Sequence, residues 1–280
     1  MRMIKVYKVI ENRKISENSY MIKVYAPLII TRFIPGQFVI IMCNSESEKI
    51  PLTIYDTDNE GNVYLIYQVV GASTLELSNQ DKEIFSIVGP LGKPSEICFN
   101  YQDYLNKKIV YVAGGVGIAP VYPQVKYLKE KGLNIDIIYG ARNKDLLIIR
   151  NQIEQIANVQ YVTDDGSYGE KGFVTNCLEK NIDKYDYCVA IGPVIMMKNV
   201  CLITKKYNVK TIVSMNPIMI DGSGMCGACR CIIDGKTKFA CIDGPEFDGH
   251  QVDFDLALKR MNIYKQEEKE KLEIMRGKYE

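Results

Sequence analysis

Sixteen residues near the C-terminal end, Cys226 to Cys241, hold four of the chain's nine cysteines: Cys226, Cys229, Cys231 and Cys241. They follow Met219-Ile-Asp-Gly-Ser-Gly-Met225, and the small residues among them leave the backbone free to wrap an inorganic core. Plant-type 2Fe–2S ferredoxins space their ligands C-x4-C-x2-C, with a distant fourth cysteine. Cys226 and Cys229 supply the x2 pair, and Cys241 follows after eleven intervening residues. Five positions before Cys226, where the first thiolate belongs, stands Asp221. Asp221, Cys226, Cys229 and Cys241 thus form a ferredoxin-like ligand set with a carboxylate in first place. Cys231 lies two residues past Cys229 in Cys231-Ile-Ile, a stretch of strand character that points it elsewhere. A structural zinc site is the rival reading, although zinc ribbons usually bring two C-x2-C or C-x2-C/H pairs and the second half here brings one cysteine. Unligated thiols are the third.

The elements that must position this loop belong to an ordinary globular chain. At 280 residues it has room for roughly two domains. Its 47% apolar and 25% charged residues are those of a water-soluble protein. With 35 basic and 34 acidic side chains, nothing suggests nucleic acid or an anionic membrane as a partner. No apolar run reaches the ~18 residues of a membrane span, and Met1-Arg-Met-Ile-Lys-Val6 lacks the core of a secretory leader. Cys43, Cys98, Cys177, Cys188 and Cys201 are scattered singly, which fits a reducing cytoplasm and argues against disulfides. The only histidine, His250, argues against Ser-His-Asp hydrolysis and reads as a loop residue.

Residues 1–100 read as six short strands, Ile4–Val9, Ser19–Tyr25, Phe38–Met42, Pro51–Asp56, Asn62–Val70 and Glu83–Val88, bounded by Gly, Pro and Asn turns. Six such strands suggest a small closed antiparallel barrel. Within it, Ile50-Pro-Leu-Thr-Ile54 opens a strand with a proline and a hydroxyl. Ile66-Tyr-Gln-Val-Val-Gly-Ala-Ser-Thr74 ends one in small hydroxyl residues, and a helix capped by Ser73 or Thr74 is expected there. The amide end of such a helix suits a diphosphate.

From residue 101 to 217 the pattern becomes strand, glycine turn, helix. The expected strands are Lys108–Ala113, Ile135–Tyr139, Val159–Thr163, Tyr187–Ile191 and Thr211–Ser214. The expected helices are Val121–Lys131, Leu146–Ile156, one from Val174, and Ile195–Lys206. This alternation gives an open parallel sheet with ligands at its strand C-termini. Gly114-Gly-Val-Gly-Ile-Ala-Pro120 differs from G-x-G-x-x-G but keeps its physics, glycine backbone close to a diphosphate at a helix start. Gly192-Pro193 lies at the equivalent edge of the sheet, within reach of whatever the barrel holds. Asp164 and Asp165 fall near an adenosine ribose, where carboxylates repel a 2′-phosphate and favour NAD, while Arg142 on a neighbouring turn pulls the other way.

A barrel, a Gly-Gly-x-Gly-x-Ala-Pro nucleotide domain and a ferredoxin-like loop together resemble the ferredoxin-reductase superfamily. Within it the chain is similar to the electron-transfer subunits of dihydroorotate dehydrogenase and to the small subunits of NADH-dependent ferredoxin:NADP+ oxidoreductases. The likeness rests on Ile50–Thr53, Val69–Thr74, Ala113–Pro120, Thr163–Gly166, Gly192-Pro193 with Met196-Met197, Asp221–Cys229 and Phe239–Gly249. It implies a two-domain ferredoxin-reductase-like fold: an antiparallel β-barrel for FAD over 1–100, a parallel-sheet α/β domain for NAD over 101–217, a 2Fe–2S loop over 218–250 and a helical tail over 251–280.

The resemblance implies FAD against Ile50, Pro51, Leu52, Ile66, Tyr67, Gln68 and Gly71, with Thr53 at its reactive edge and Ser73 and Thr74 at the diphosphate. It implies NAD(H) over Gly114, Gly115, Val116, Gly117, Ile118, Ala119 and Pro120, with Arg142, Asp165, Gly192, Pro193 and Met196 around it. It implies a 2Fe–2S cluster on Asp221, Cys226, Cys229 and Cys241. Dihydroorotate-type relatives carry arginine at the positions of Ile50 and Gln68, so the FAD diphosphate here leans on backbone N–H groups and on Lys49. The expected activity is electron transfer between NAD(H), FAD and the cluster and a larger iron–sulfur flavoprotein partner resembling the glutamate synthase small subunit, which would meet NADP(H) and ferredoxin. The alternatives are a dihydroorotate dehydrogenase electron-transfer subunit, which Asp221, Ile50 and Gln68 disfavour, and a zinc-bearing regulatory module.

Overall fold

The computed structural model describes residues 6–279. The start of the predicted strand Ile4–Val9 and the stretch read for a leader fall partly outside the described residues, as does residue 280.

Seven strands build the first sheet: β1 (Tyr7–Lys14), β2 (Ser19–Tyr25), β3 (Phe38–Met42), β4 (Ile50–Thr57), β5 (Asn62–Gln68), β6 (Glu83–Ile84) and β7 (Ser86–Leu91). Their order is β6-β1-β2-β5-β4-β3-β7, antiparallel throughout. The two outer strands are consecutive in the chain. Phe85 between them donates its N–H toward the Met42 and Cys43 carbonyls, so the sheet meets itself and forms a nearly closed barrel. The predicted strand Glu83–Val88 is therefore two strands, split at Phe85 and extended to Leu91. Alternating side chains fill the interior with Ile22, Val24, Val39, Ile41, Ile54, Val63 and Leu65.

Two short helices, α1 (Pro27–Ile30) and α2 (Ala72–Ser78), lie on the barrel. Gly71, not Ser73 or Thr74, is the N-cap of α2. Thr74 is its third residue, and its Oγ1 reaches back to accept from the N–H groups of Val70 and Gly71, both at 3.1 Å. The hydroxyl thus closes the helix start from inside.

A linker containing α3 (Glu96–Phe99) leads to the second sheet. Its units are β8 (Ile109–Gly114), α4 (Ile118–Glu130), β9 (Ile135–Ala141), α5 (Arg150–Glu154), β10 (Asn158–Thr163), β11 (Glu170–Lys171), α6 (Val174–Asn181), β12 (Tyr187–Ile191), α7 (Val194–Lys206) and β13 (Lys210–Ser214). Residues Ile109–Ala113 of β8 are wholly buried, as a parallel strand covered on both faces must be. Helix α4 starts at Ile118, earlier than predicted, because Pro120 sits in the first turn, where N–H groups have no intrahelical partner. The predicted helix Leu146–Ile156 shrinks to α5. Ile149 takes a left-handed φ of 49°, and Asn143 caps a separate 3-10 turn over Lys144–Leu146.

The last segment supplies β14 (Arg230–Ile233), β15 (Lys236–Phe239), β16 (Glu246–Asp248), α8 (Phe254–Met261) and α9 (Lys265–Tyr279). Strand β16 joins β13 antiparallel, completing the order β11-β10-β9-β8-β12-β13-β16. The cysteine loop is therefore anchored in the central sheet. One apolar core runs from Phe38 and Ile40 of the barrel through β8, β12 and β13 to Cys229, Cys241 and Phe247. Tyr55 stacks on Tyr122 at 4.7 Å, and Lys126 pairs with Asp56 at 2.9 Å, fixing α4 against the barrel. The tail predicted as one charged helix is two, and α9 returns to α2, where Lys271 and the Ser73 hydroxyl both bind Glu48. Among the described residues, no helix is long and apolar enough to cross a membrane.

Candidate functional site

Two cavities meet where the barrel faces the C-terminal ends of the parallel strands, the position expected of ligands in such sheets. The first, of about 500 Å³, has Ile50, Pro51, Leu52 and Thr53 of β4 on one side, with Ile66, Tyr67 and Gln68 of β5 and Thr74 of α2. Opposite them lie Gly114–Gly117, Pro120, Gly192 and Pro193. Its size and its apolar walls with a few hydroxyls suit a flat aromatic cofactor. Thr53 is cross-strand partner to Phe38, which fixes its place in the wall.

The second cavity, of about 600 Å³, holds Arg142, Asp164 and Met196 around the same glycine turn. Gln68, Gly114, Gly115, Val116 and Pro193 line both. Two of its glycines resist a side chain. Gly115 has a φ of 55°, and a Cβ on Gly117 would run into the Ile191 carbonyl. Backbone can therefore approach a ligand closely, at the start of α4.

Several predicted residues lie off these walls. Gly71 caps α2, and Ser73 turns its hydroxyl to Glu48. Ile118 and Ala119 are buried beneath the turn. The Asp165 carboxylate accepts from Ser167 N–H at 2.9 Å, and its bonds to Ser167 hold it below the usual carboxylate range. Asp164, not Asp165, faces the second cavity. The sequence reading also missed Ser214–Pro217, Met219 and Pro245 in the first cavity, and Phe173, Thr175 and Asn199 in the second. Ser214–Pro217 follows the last parallel strand, so the strand-end rule applied to every strand would have found it. Pro245 arrives from the cysteine segment, which no local signal ties to a cavity.

The cysteine loop itself rests on the barrel. A Cβ on Gly222 would lie 2.6 Å from Ile40 Cδ1 and 2.8 Å from Leu91 Cδ1, and Ile40 pairs across the strands with Pro51 of the first cavity. The segment also reaches that cavity directly, through Met219 and Pro245.

The four candidate ligands form two pairs. The sulfurs of Cys229 and Cys241 are 3.2 Å apart and buried. Asp221 accepts from Ser223 N–H at 2.8 Å and neighbours the exposed Cys226; the Ser223 amide chiefly holds its carboxyl below the usual range. Burial, with Cys229 alongside, pushes the Cys241 thiol up. Among the described residues, no three His, Cys, Asp or Glu side chains gather as for one metal ion. A mononuclear zinc site needs four ligands on one point. A binuclear cluster takes its ligands as two per iron, which two adjacent pairs fit. Cys231 lies on the far face, in a small cleft against Ala257 and Arg260 of α8, where burial pushes its thiol up to about 11.

Comparison with known proteins bears on both halves. Residues 216–253 match the iron–sulfur cluster binding domain of dihydroorotate dehydrogenase B, and residues 111–202 match the oxidoreductase NAD-binding domain. A dihydroorotate dehydrogenase B (NAD(+)) electron transfer subunit homolog of Thermotoga maritima is 45% identical, over 94% of this chain and 93% of that one. An uncharacterized protein of Clostridium beijerinckii is 46% identical, over 97% and 95%. Among solved structures, a chain of an NADH-dependent reduced ferredoxin-NADP oxidoreductase, described for flavin-based electron bifurcation, superimposes with a TM-score of 0.89 at 42% identity, covering 98% of this chain and 99% of that one.

Proposed function

The chain belongs to the family of dihydroorotate dehydrogenase B electron-transfer subunits and their homologues, and on that footing we propose that it moves electrons between NADH, FAD and a 2Fe–2S cluster for a larger partner subunit. The observation that carries this reading is the shared wall: Gln68, Gly114, Gly115, Val116 and Pro193 line both cavities, and Met219 and Pro245 of the cysteine segment line the first. Two flat ligands seated there would face one another.

FAD in the first cavity supplies the exchange between two-electron hydride and one-electron chemistry. Thr53 and the β4 wall would orient it, with Thr74 of α2 at the cavity's edge. The glycine turn would take the diphosphate of NADH, with Pro193 and Met196 setting the depth of the nicotinamide. Asp164 at the cavity wall disfavours a 2′-phosphate, and Arg142 on the same wall opposes that preference. Asp221, Cys226, Cys229 and Cys241 would hold the cluster. No acid–base pair is required of a chain with one histidine, and His250 is occupied with Thr204 at 3.0 Å.

The partner is expected to be a larger iron–sulfur flavoprotein; the likeness over nearly the full length to a chain of an NADH-dependent reduced ferredoxin-NADP oxidoreductase supports a place in such a complex. The dihydroorotate dehydrogenase reading stays second, on the name of the Thermotoga maritima relative. Nine free cysteines, most of them buried, suit the cytoplasm. Purification of the tagged chain from its own host, with mass spectrometry of whatever accompanies it, separates the two: a glutamate synthase-like flavoprotein supports the first, a dihydroorotate-oxidising subunit the second. A chain that purifies with zinc and no flavin defeats both.

A further inference from the structure

Glu246 has no part in holding either cofactor or the cluster, yet it stands at their junction. It is in register with Ser214 on β13, and Ser214 and Pro245 both line the first cavity. Its Oε1 accepts from Gln124 Nε2 at 2.8 Å. Gln124 sits on α4, the helix that begins at the glycine turn, and its own oxygen accepts from the Tyr111 hydroxyl at 3.0 Å. The carboxyl therefore cross-links the nucleotide helix to the segment that carries Cys241.

The other oxygen, Oε2, is shielded from solvent, with the Ser95 hydroxyl and the backbone N–H of Glu96 beside it. Among the described residues no cation pairs with it. Part of the residue lines an open cavity of about 540 Å³, so protons have a route from solvent. A carboxylate held this way carries its charge at a cost, and negative charge arriving nearby raises that cost.

We propose that Glu246 is the charge-compensating residue of this redox site, taking up a proton from solvent as reducing electrons arrive and giving it back as they leave. The balance is one proton from water onto Oε2 for one electron held nearby, the electron coming from NADH; the carboxylate becomes a neutral acid and no other bond changes. This rests on the electron-transfer reading above. Burial also pushes the Glu246 carboxyl up to about 7, into the range where such uptake can occur at neutral pH.

Gln124 of α4 is neutral. Tyr111 of β8, Tyr187 of β12 and Cys98 of α3 are pushed upward by burial and stay uncharged. Glu96 of α3 is paired with Lys210 at 3.6 Å. Lys93, Asp243 and Asp248 sit on the cavity rim.

The test uses the flavin- and iron-loaded protein. The potential of its iron–sulfur electron-paramagnetic signal is measured from pH 6 to 9, and redox-difference infrared spectra are recorded at pH 8. The wild-type potential should fall as pH rises, approaching the 59 mV that a tenfold change represents for one electron. A protonated-carboxyl band should appear on reduction. In Glu246→Gln the slope should flatten and the band vanish. A wild-type potential independent of pH, or an unchanged slope in Glu246→Gln, overturns the proposal. Should that variant not fold, Gln124→Leu removes a bond that favours the charged form, so the slope should persist to higher pH; an unmoved profile overturns it equally. Protein carrying neither flavin nor iron would defeat the electron-transfer reading, whereas protein carrying both with a pH-independent potential defeats this one alone.

Discussion

Asp221 is the residue on which the identity of the metal centre turns. The sequence displayed it as a gap in a ferredoxin spacing, and the structure sets it beside Cys226 as the partner of a second pair. If it is a ligand, Asp221→Ala should lose much of the bound iron or leave a cluster with a shifted potential, read by iron analysis and visible absorption. An unchanged spectrum and potential would remove Asp221 from the ligand set. Cys231→Ser is the control: iron content should hold, while a hydroxyl buried in place of the thiol costs about 1–3 kcal/mol in chemical denaturation. Glu246 was not legible at this scale. A lone glutamate after Gly-Pro carries no signal of burial, which comes from a partner, Gln124, that lies 122 positions away in the chain.

At the scale of elements, the glycine turn was legible because its physics is local: three glycines at the end of a buried strand have few uses other than close backbone approach. Gly117→Ala should weaken NADH binding at least tenfold, about 1.4 kcal/mol, in a fluorescence titration, because its Cβ meets the Ile191 carbonyl. Strands β2 and β3 matched their sequence patterns residue for residue, since apolar runs bounded by turn residues fix them locally. The helix expected over Leu146–Ile156 did not form as drawn; its apolar residues Leu147, Ile148 and Ile153 are buried by tertiary packing that a left-handed Ile149 permits. The choice between Asp164 and Asp165 was equally out of reach, because it depends on which carboxylate the Ser167 turn engages. Asp164→Ala should relax the preference for NADH over NADPH by roughly tenfold in kcat/KM, about 1.4 kcal/mol; an unmoved ratio would assign discrimination elsewhere.

Across the whole molecule, barrel, nucleotide sheet and cysteine segment share one apolar core, and β16 completes the sheet. Sequence boundaries at 100, 217 and 250 mark changes of residue pattern. That shared core is also why Glu246 is held so far from its ordinary titration. Its folded carboxyl lies near 7 against an ordinary 4.5, so its contribution to stability is fully present below about pH 4.5 and is lost as pH rises through about 7. Glu246→Gln should therefore gain stability over wild type at pH 8, by something on the order of 2 kcal/mol after allowing for the open cavity beside it, and gain little at pH 4.5. Thermal denaturation at the two pH values checks it, with no cofactor needed.

Anaerobic addition of NADH to the purified chain, followed by visible absorption and electron paramagnetic resonance, tests the central claim most directly. Flavin bands near about 370 and 450 nm should bleach, and a signal from a reduced 2Fe–2S cluster should appear in the same titration. A chain that carries zinc, or whose flavin and iron do not respond to NADH, would contradict it.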